Sequence, residues 1–246
     1  MLPMDSQIKQ IDIAKARFEA ALPLLPSMLE QLRLDWEVTH TFNSNAIEGN
    51  TLTLGETKAI LLDGITISGK PLREHLEAVN HRSAMRLMNR MAAQNSPLLE
   101  TEILELHRTI LTGIQDSDAG RYRDLRVRVV GSSRIFPNPV KVPDLMQDLV
   151  QSINADPSHA VIQAARAHFG LVHIHPFADG NGRTARLLMN LMLIRAGYPP
   201  ALVPLEVRGR YYDALEAANS GDFGHFETLI AELVLHSLQR ILELIA

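Results

Sequence analysis

The chain contains no cysteine. That absence excludes disulfide frameworks, cysteine-ligated zinc or iron–sulfur sites and a thiol nucleophile. A basic excess is missing too: 24 Lys and Arg stand against 28 Asp and Glu, a formal charge of −4, which argues against a dedicated nucleic-acid binder. No apolar run approaches the roughly 20 residues of a membrane span. The start, MLPMDSQIKQ, has no signal-peptide core. The expectation is a cytoplasmic chain with neither nucleic acid nor membrane as partner. What remains is of ordinary globular composition, 246 residues with 46% hydrophobic and 21% charged, enough to fold as one large or two small domains without a metal.

Helical periodicity dominates. Phe223, Phe226, Leu229, Ile230, Leu233, Val234, Leu238, Ile241 and Leu242 recur at three- and four-residue steps and predict one apolar stripe along a last helix. Thr53-Leu54-Gly55-Glu56 reads as a capping box. Ser96-Pro97 reads as an N-cap and first-turn proline before a helix over 98–111, and Pro143-Asp144 opens another. Two further helices are expected, from Ala160 to about Val172 and from Asn181 to Ala196, the second ended by Gly197. Ile8, Ile11, Ala14, Phe18 and Leu22 share a stripe near the start. One segment departs from this pattern. Leu125-Arg126-Val127-Arg128-Val129 alternates apolar and basic, meets Gly131-Ser132-Ser133, and resumes at Ile135-Phe136, which predicts a short β-hairpin. The fold class expected is all-α, a helical bundle with one small hairpin.

The chemistry concentrates between two helices, in His173-Ile-His175-Pro-Phe177-Ala-Asp179-Gly180-Asn181-Gly182-Arg183-Thr184-Ala185-Arg186. Gly-Asn-Gly at a helix start tolerates positive φ and leaves backbone N–H groups free to meet an anion, phosphate above all. Arg183 and Arg186, three residues apart, share a helix face and could clamp phosphate oxygens. Asp179 offers the hard oxygen that Mg²⁺ prefers, and His175 is the nearby side chain able to accept a proton near neutral pH. Taken singly, each residue also fits a plainer role: a helix-entering turn, solvated arginines, or a His173/His175 metal pair. The metal pair lacks a third ligand at helical spacing.

The ordered run from His175 to Arg186 resembles the signature of the Fic family, HxFx(D/E)GNGRxxR, with every defining position filled. Members of that family mostly transfer AMP from ATP to a protein hydroxyl. The resemblance implies a Fic fold with a flap over the active site, formed by the hairpin. It implies His175 as general base, Phe177 as the support under the loop, and Asp179 as the holder of Mg²⁺ or Mn²⁺. ATP would lie against Val129, Val130, Gly131, Asp179, Gly180, Asn181, Gly182, Arg183, Thr184, Ala185 and Arg186. Tyr211, Tyr212 and Asn219, in a run similar to the family segment that closes over adenosine, would contact base and ribose. The partners implied are ATP, a target protein presenting a hydroxyl side chain at the flap, and a second copy of the chain in a homodimer.

Far upstream, Ser44-Asn-Ala-Ile-Glu48-Gly-Asn50 matches the family's inhibitory pattern, (S/T)xxxE(G/N)N. The resemblance makes Glu48 a partner of Arg186, with Ser44 and Asn50 as companions. A carboxylate there would repel the incoming phosphate. The expected organisation is an N-terminal helical region over 1–95 carrying this motif, and a catalytic core over 96–246 in one compact unit. The expected function is an autoinhibited protein adenylyltransferase that acts on a Ser, Thr or Tyr hydroxyl and releases pyrophosphate. The branch that phosphorylates its target instead departs from the second glycine and arginine, both intact here. Rival expectations are AMP removal, another nucleotide donor, and a regulatory module that binds ATP without transfer.

Overall fold

The computed structural model describes residues 4–94, 96–128 and 135–245. Its helices are α1 (Met4–Ala20), α2 (Pro26–Ile47), α3 (Leu54–Lys58), α4 (Leu72–Ala92), α5 (Glu100–Leu111), α6 (Val142–Ala155), α7 (Ala160–Ile174), α8 (Asn181–Arg195), α9 (Arg208–Asn219) and α10 (Gly224–Ile245). α7 and α8 form the central hairpin, because their sequences are apolar on more than one face. Ala164, Ala165 and Phe169 of α7 join Met189 and Leu193 of α8 in a core closed by α1, α9 and α10. Ala167, Leu171 and Ile174, with Ala185, Leu188 and Leu191, face a second core built by α4, α5 and α6. The turn joining α7 to α8 therefore emerges at the seam of both cores.

Local signals set most boundaries. The Thr53 hydroxyl accepts from the Glu56 N–H, and the Glu56 carboxylate from the Thr53 N–H, as the capping box requires. α10 buries Phe226, Leu229, Ile230, Leu233, Val234, Leu238 and Ile241, seven of the nine residues of its stripe. Two expectations are corrected and a third is not shown. α5 starts at Glu100 rather than behind Ser96-Pro97, because the Leu98 carbonyl accepts from the Asn154 side-chain amide at 2.9 Å and Leu99 is extended, so the first intrahelical bonds form later. Leu22 falls beyond the end of α1 and is exposed. The predicted hairpin is not seen: residues 125–128 and 135–136 form no strand, and no strand occurs among the described residues. Its turn, including Val129, Val130 and Gly131, lies outside the described residues.

An arginine side chain fixes the two described ends of that segment. Arg123, 5% exposed, gives Nε to the His175 carbonyl at 2.8 Å, one terminal nitrogen to Leu125 O at 3.0 Å and the other to Pro137 O at 2.8 Å.

In four of the buried histidines, burial is the first cause of a pKa below the usual 6.5. His40 and His107 are pushed down to about 4 and His168 to about 3, while His81 is well below 6.5. They are neutral in the folded chain but charge on unfolding. Unfolding therefore takes up protons below pH 6.5, and the stability these groups contribute is lost as pH falls toward 4. Urea midpoints measured from pH 7 to pH 4.5 should decline steadily; a flat profile would refute the assignment. Phe226 packs beneath the site, with ring centroids 5.1 Å from His168 and 6.2 Å from Tyr211. Phe226→Ala should cost about 3–5 kcal/mol in urea unfolding, and a loss under about 1 kcal/mol would contradict that packing.

Candidate active site

The loop between α7 and α8 is built to be rigid. α7 stops at His175, a left-handed residue with φ 54°, whose N–H still bonds Leu171 O at 2.8 Å. Its ring lies 4.3 Å from that of Phe136. Phe177 is fully buried and stacks on His107 at 3.6 Å between centroids. Asn181 closes the loop on itself: its Oδ1 accepts from the Phe177 N–H at 3.0 Å and its Nδ2 donates to Phe177 O at 2.9 Å. Gly180, at φ +76°, makes the left-handed step into α8. His107 holds the loop from below. Its Nδ1 accepts from the Gly120 N–H at 3.0 Å, so Nε2 carries the proton and donates to Asp179 O at 3.0 Å.

Arg186 lies one turn into α8, 5% exposed. Its Nε donates to the Ser44 hydroxyl at 3.0 Å, and one terminal nitrogen to Ser44 O and Glu48 Oε1, both at 2.8 Å. The other terminal nitrogen reaches the Tyr211 hydroxyl at 3.4 Å, which in turn is hydrogen-bonded with His168 Nε2 at 2.9 Å. Burial alone would weaken the Arg186 charge, but Glu48 and Tyr211 outweigh it and hold its pKa above the ordinary value. Glu48 caps the C-terminal end of α2, and Gly49, at φ +98°, turns the chain away. The carboxylate, 33% exposed, sits over the N-terminus of α8, where a Cβ on Gly182 would collide with Oε1.

A second set of charges surrounds Asp179. Its Oδ1 accepts from the Gly180 N–H at 2.6 Å and faces Arg183 at 3.3 Å; Oδ2 takes Arg73 at 2.7 Å. Burial would raise the Asp179 pKa, but Arg183, the Gly180 N–H and Arg73 together bring it below the usual carboxylate value. Glu77 of α4 lies behind, facing Arg183 at 3.4 Å and accepting from Arg73 Nε at 3.0 Å and from Asn50 Nδ2 at 2.9 Å.

The structure thus gathers His175, Asp179, Gly180, Asn181, Gly182, Arg183, Arg186, Ser44 and Glu48 around one helix N-terminus. Asn50 is joined to them through Glu77 rather than through Arg186. Thr184 and Ala185 turn fully buried side chains into the interior, with the Thr184 hydroxyl bonded to Gly180 O at 2.8 Å. Tyr211 is also buried, which makes it a support for Arg186 and leaves Tyr212, 39% exposed, as the ring open to a ligand. Asn219 Oδ1 accepts from His173 Nδ1 at 3.2 Å. Sequence reasoning missed Arg73, Glu77, His107, Arg123 and His168. Each acts through a partner more than 40 residues away or through a backbone carbonyl, and no local spacing marks such contacts.

With this geometry in place, the comparisons with known proteins are direct. The profile of the Fic/DOC family matches residues 97–193. The protein adenylyltransferase Fic of Drosophila melanogaster is 43% identical over 196 residues, covering 78% of this chain and 39% of that protein. Its counterpart in Drosophila virilis is 40% identical over 209 residues, covering 84% and 43%. The chain therefore spans less than half the length of these curated relatives. Among solved structures, a fragment of Fic-1 from C. elegans superposes with a TM-score of 0.87 at 34% identity, over 97% of this chain and 71% of that one. A Fic-domain signaling protein from Bacteroides thetaiotaomicron gives 0.87 at 29% identity, over 94% and 95%. A loop signature complete at every position, carried on a fold that superposes end to end, means that the chain belongs to the Fic/DOC family.

Proposed function

We propose that the chain is an autoinhibited protein adenylyltransferase, moving AMP from ATP to a Ser, Thr or Tyr hydroxyl of a target protein. The observation that carries the reading is the Glu48 carboxylate on Arg186 above Gly182. An oxyanion seated at a helix N-terminus beside a buried guanidinium marks an anion site, and here the occupant belongs to the chain itself. The curated names of the relatives support AMP transfer as the reaction.

In this reading His175 accepts the proton of the target hydroxyl as its oxygen attacks the α-phosphorus and the bond to pyrophosphate breaks. Gly180, Asn181 and Gly182 cradle the phosphates, and Arg183 and Arg186 hold the outer ones. This is catalysis by positioning and electrostatic stabilisation. The carboxylate of Asp179 is the donor for a divalent ion, magnesium or manganese. A single carboxylate suits such an ion when phosphate oxygens complete its shell, and no group of three His, Cys, Asp or Glu among the described residues could hold one unaided. When bound, the ion neutralises phosphate charge.

Tyr212 and Asn219 lie on the side where base and ribose would rest. In this reading the target chain docks at the segment around residues 125–136. Residues 1–95 carry the brake and 96–246 the catalytic core. A homodimer is included in the reading, supported by exposed apolar side chains at Leu54, Leu62, Ile65 and Leu72, close in sequence to the inhibitory motif.

The brake works by competition: Glu48 withholds Arg186 from the terminal phosphate and repels it. Glu48→Gly should raise AMP incorporation at least about tenfold, the change expected when roughly 1.4 kcal/mol of bias is removed. Adding His175→Ala should lower it by about 10²–10⁴. Intact-mass spectrometry after incubation with Mg-ATP reads both. A Glu48→Gly chain no more active than wild type would end the inhibitory assignment, and adducts that survive His175→Ala would end the assignment of the base.

A further inference from the structure

Arg73 is out of place as a helix residue. It occupies the first turn of α4, where the unpaired N–H groups make a cation unfavourable, and its side chain is 55% exposed. Two carboxylates hold it there: Glu77 Oε1 on its Nε at 3.0 Å and Asp179 Oδ2 on a terminal nitrogen at 2.7 Å. The Asp179 contact bridges 106 residues of sequence. The other carboxylate oxygen of Asp179 is committed to the Gly180 N–H and to Arg183, a nearly buried side chain. Oδ2 is thus the oxygen that an incoming cation could take, and its present partner is the half-exposed guanidinium.

We propose that Arg73 is a positioning residue that stands in for the divalent ion on Asp179, so that metal enters by exchange with its guanidinium. This rests on the reading of Asp179 as the metal donor. In the chain without nucleotide, Arg73 keeps the carboxylate ionised, oriented and electrically balanced. As metal and phosphate arrive, the Asp179 contact opens while Arg73 stays on Glu77, which also binds Asn50 at the end of the inhibitory motif. Metal affinity is thereby set by an internal competitor rather than by Asp179 alone.

The probe is Mn²⁺ with ADP, followed by electron paramagnetic resonance titration of the full chain in a Glu48→Gly background, where the brake does not limit nucleotide binding. Arg73→Gln should tighten Mn²⁺ by about three- to fivefold, the scale of a half-exposed ion pair. Arg73→Lys should restore wild-type affinity, and ADP binding in EDTA should be the same in all three. General damage to the site would instead weaken ADP with or without metal. If Asp179→Asn weakens Mn²⁺ but Arg73→Gln does not tighten it, the exchange is refuted and the role of Asp179 survives. If Asp179→Asn leaves Mn²⁺ binding unchanged, the metal assignment fails and the exchange falls with it.

Discussion

A guanidinium buried to the extent of Arg186 must be fully paired, because an uncompensated charge at that depth is strongly destabilising. Its surroundings follow from that requirement. Ser44 supplies two acceptors, Glu48 the opposite charge and Tyr211 a hydroxyl, which is itself hydrogen-bonded with a histidine held neutral. Neutrality of His168 matters: burial and the Arg186 charge both oppose its protonation, and a cation there would compete for the same hydroxyl. α2, α7, α8 and α9 are tied together through this one side chain, and Phe226 of α10 supports it from below.

Around that anchor the loop is fixed from three directions. Asn181 binds it internally, His107 holds the Asp179 carbonyl from the α5 side, and Arg123 grips the His175 carbonyl together with the ends of the neighbouring segment. None of these contacts uses an atom that the proposed chemistry needs. Backbone carbonyls and amide groups carry the positioning, so it does not draw on the side chains of His175 and Asp179 to which the proposed chemistry is assigned. Glu77 plays the same part for Arg183, joining it to the turn that follows Glu48.

Helices with a strong stripe were legible in the sequence, as α10 illustrates, and so was the loop, since its glycines, asparagine and arginines are contiguous. Contacts such as Arg73 with Asp179 or Arg123 with His175 were not, because an arginine on a helix or in a loop has no local signal naming its partner. The hairpin reading is not shown: alternation in residues 125–129 satisfies a strand pattern, but residues 125–128 and 135–136 form no strand and the turn lies outside the described residues. Tyr211 and Tyr212 show the limit at single-residue scale: adjacent on α9, they point to opposite environments, one interior and one exposed.

Glu48 and Arg186 are 138 residues apart in sequence but belong to the same covalent chain. A tethered carboxylate meets its partner at a fixed effective concentration, of order millimolar or higher for groups held close. Dilution of the protein does not loosen that contact. A diffusing anion that seeks Arg186 must therefore outcompete a ligand that is always present, through affinity, through abundance, or by drawing on contacts that Glu48 does not make. The α2 end is joined to the rest through Ile47 O on Arg208 and Asn43 on the Leu205 N–H, so a force on residues 205–208 reaches the same carboxylate by a mechanical route independent of anion concentration.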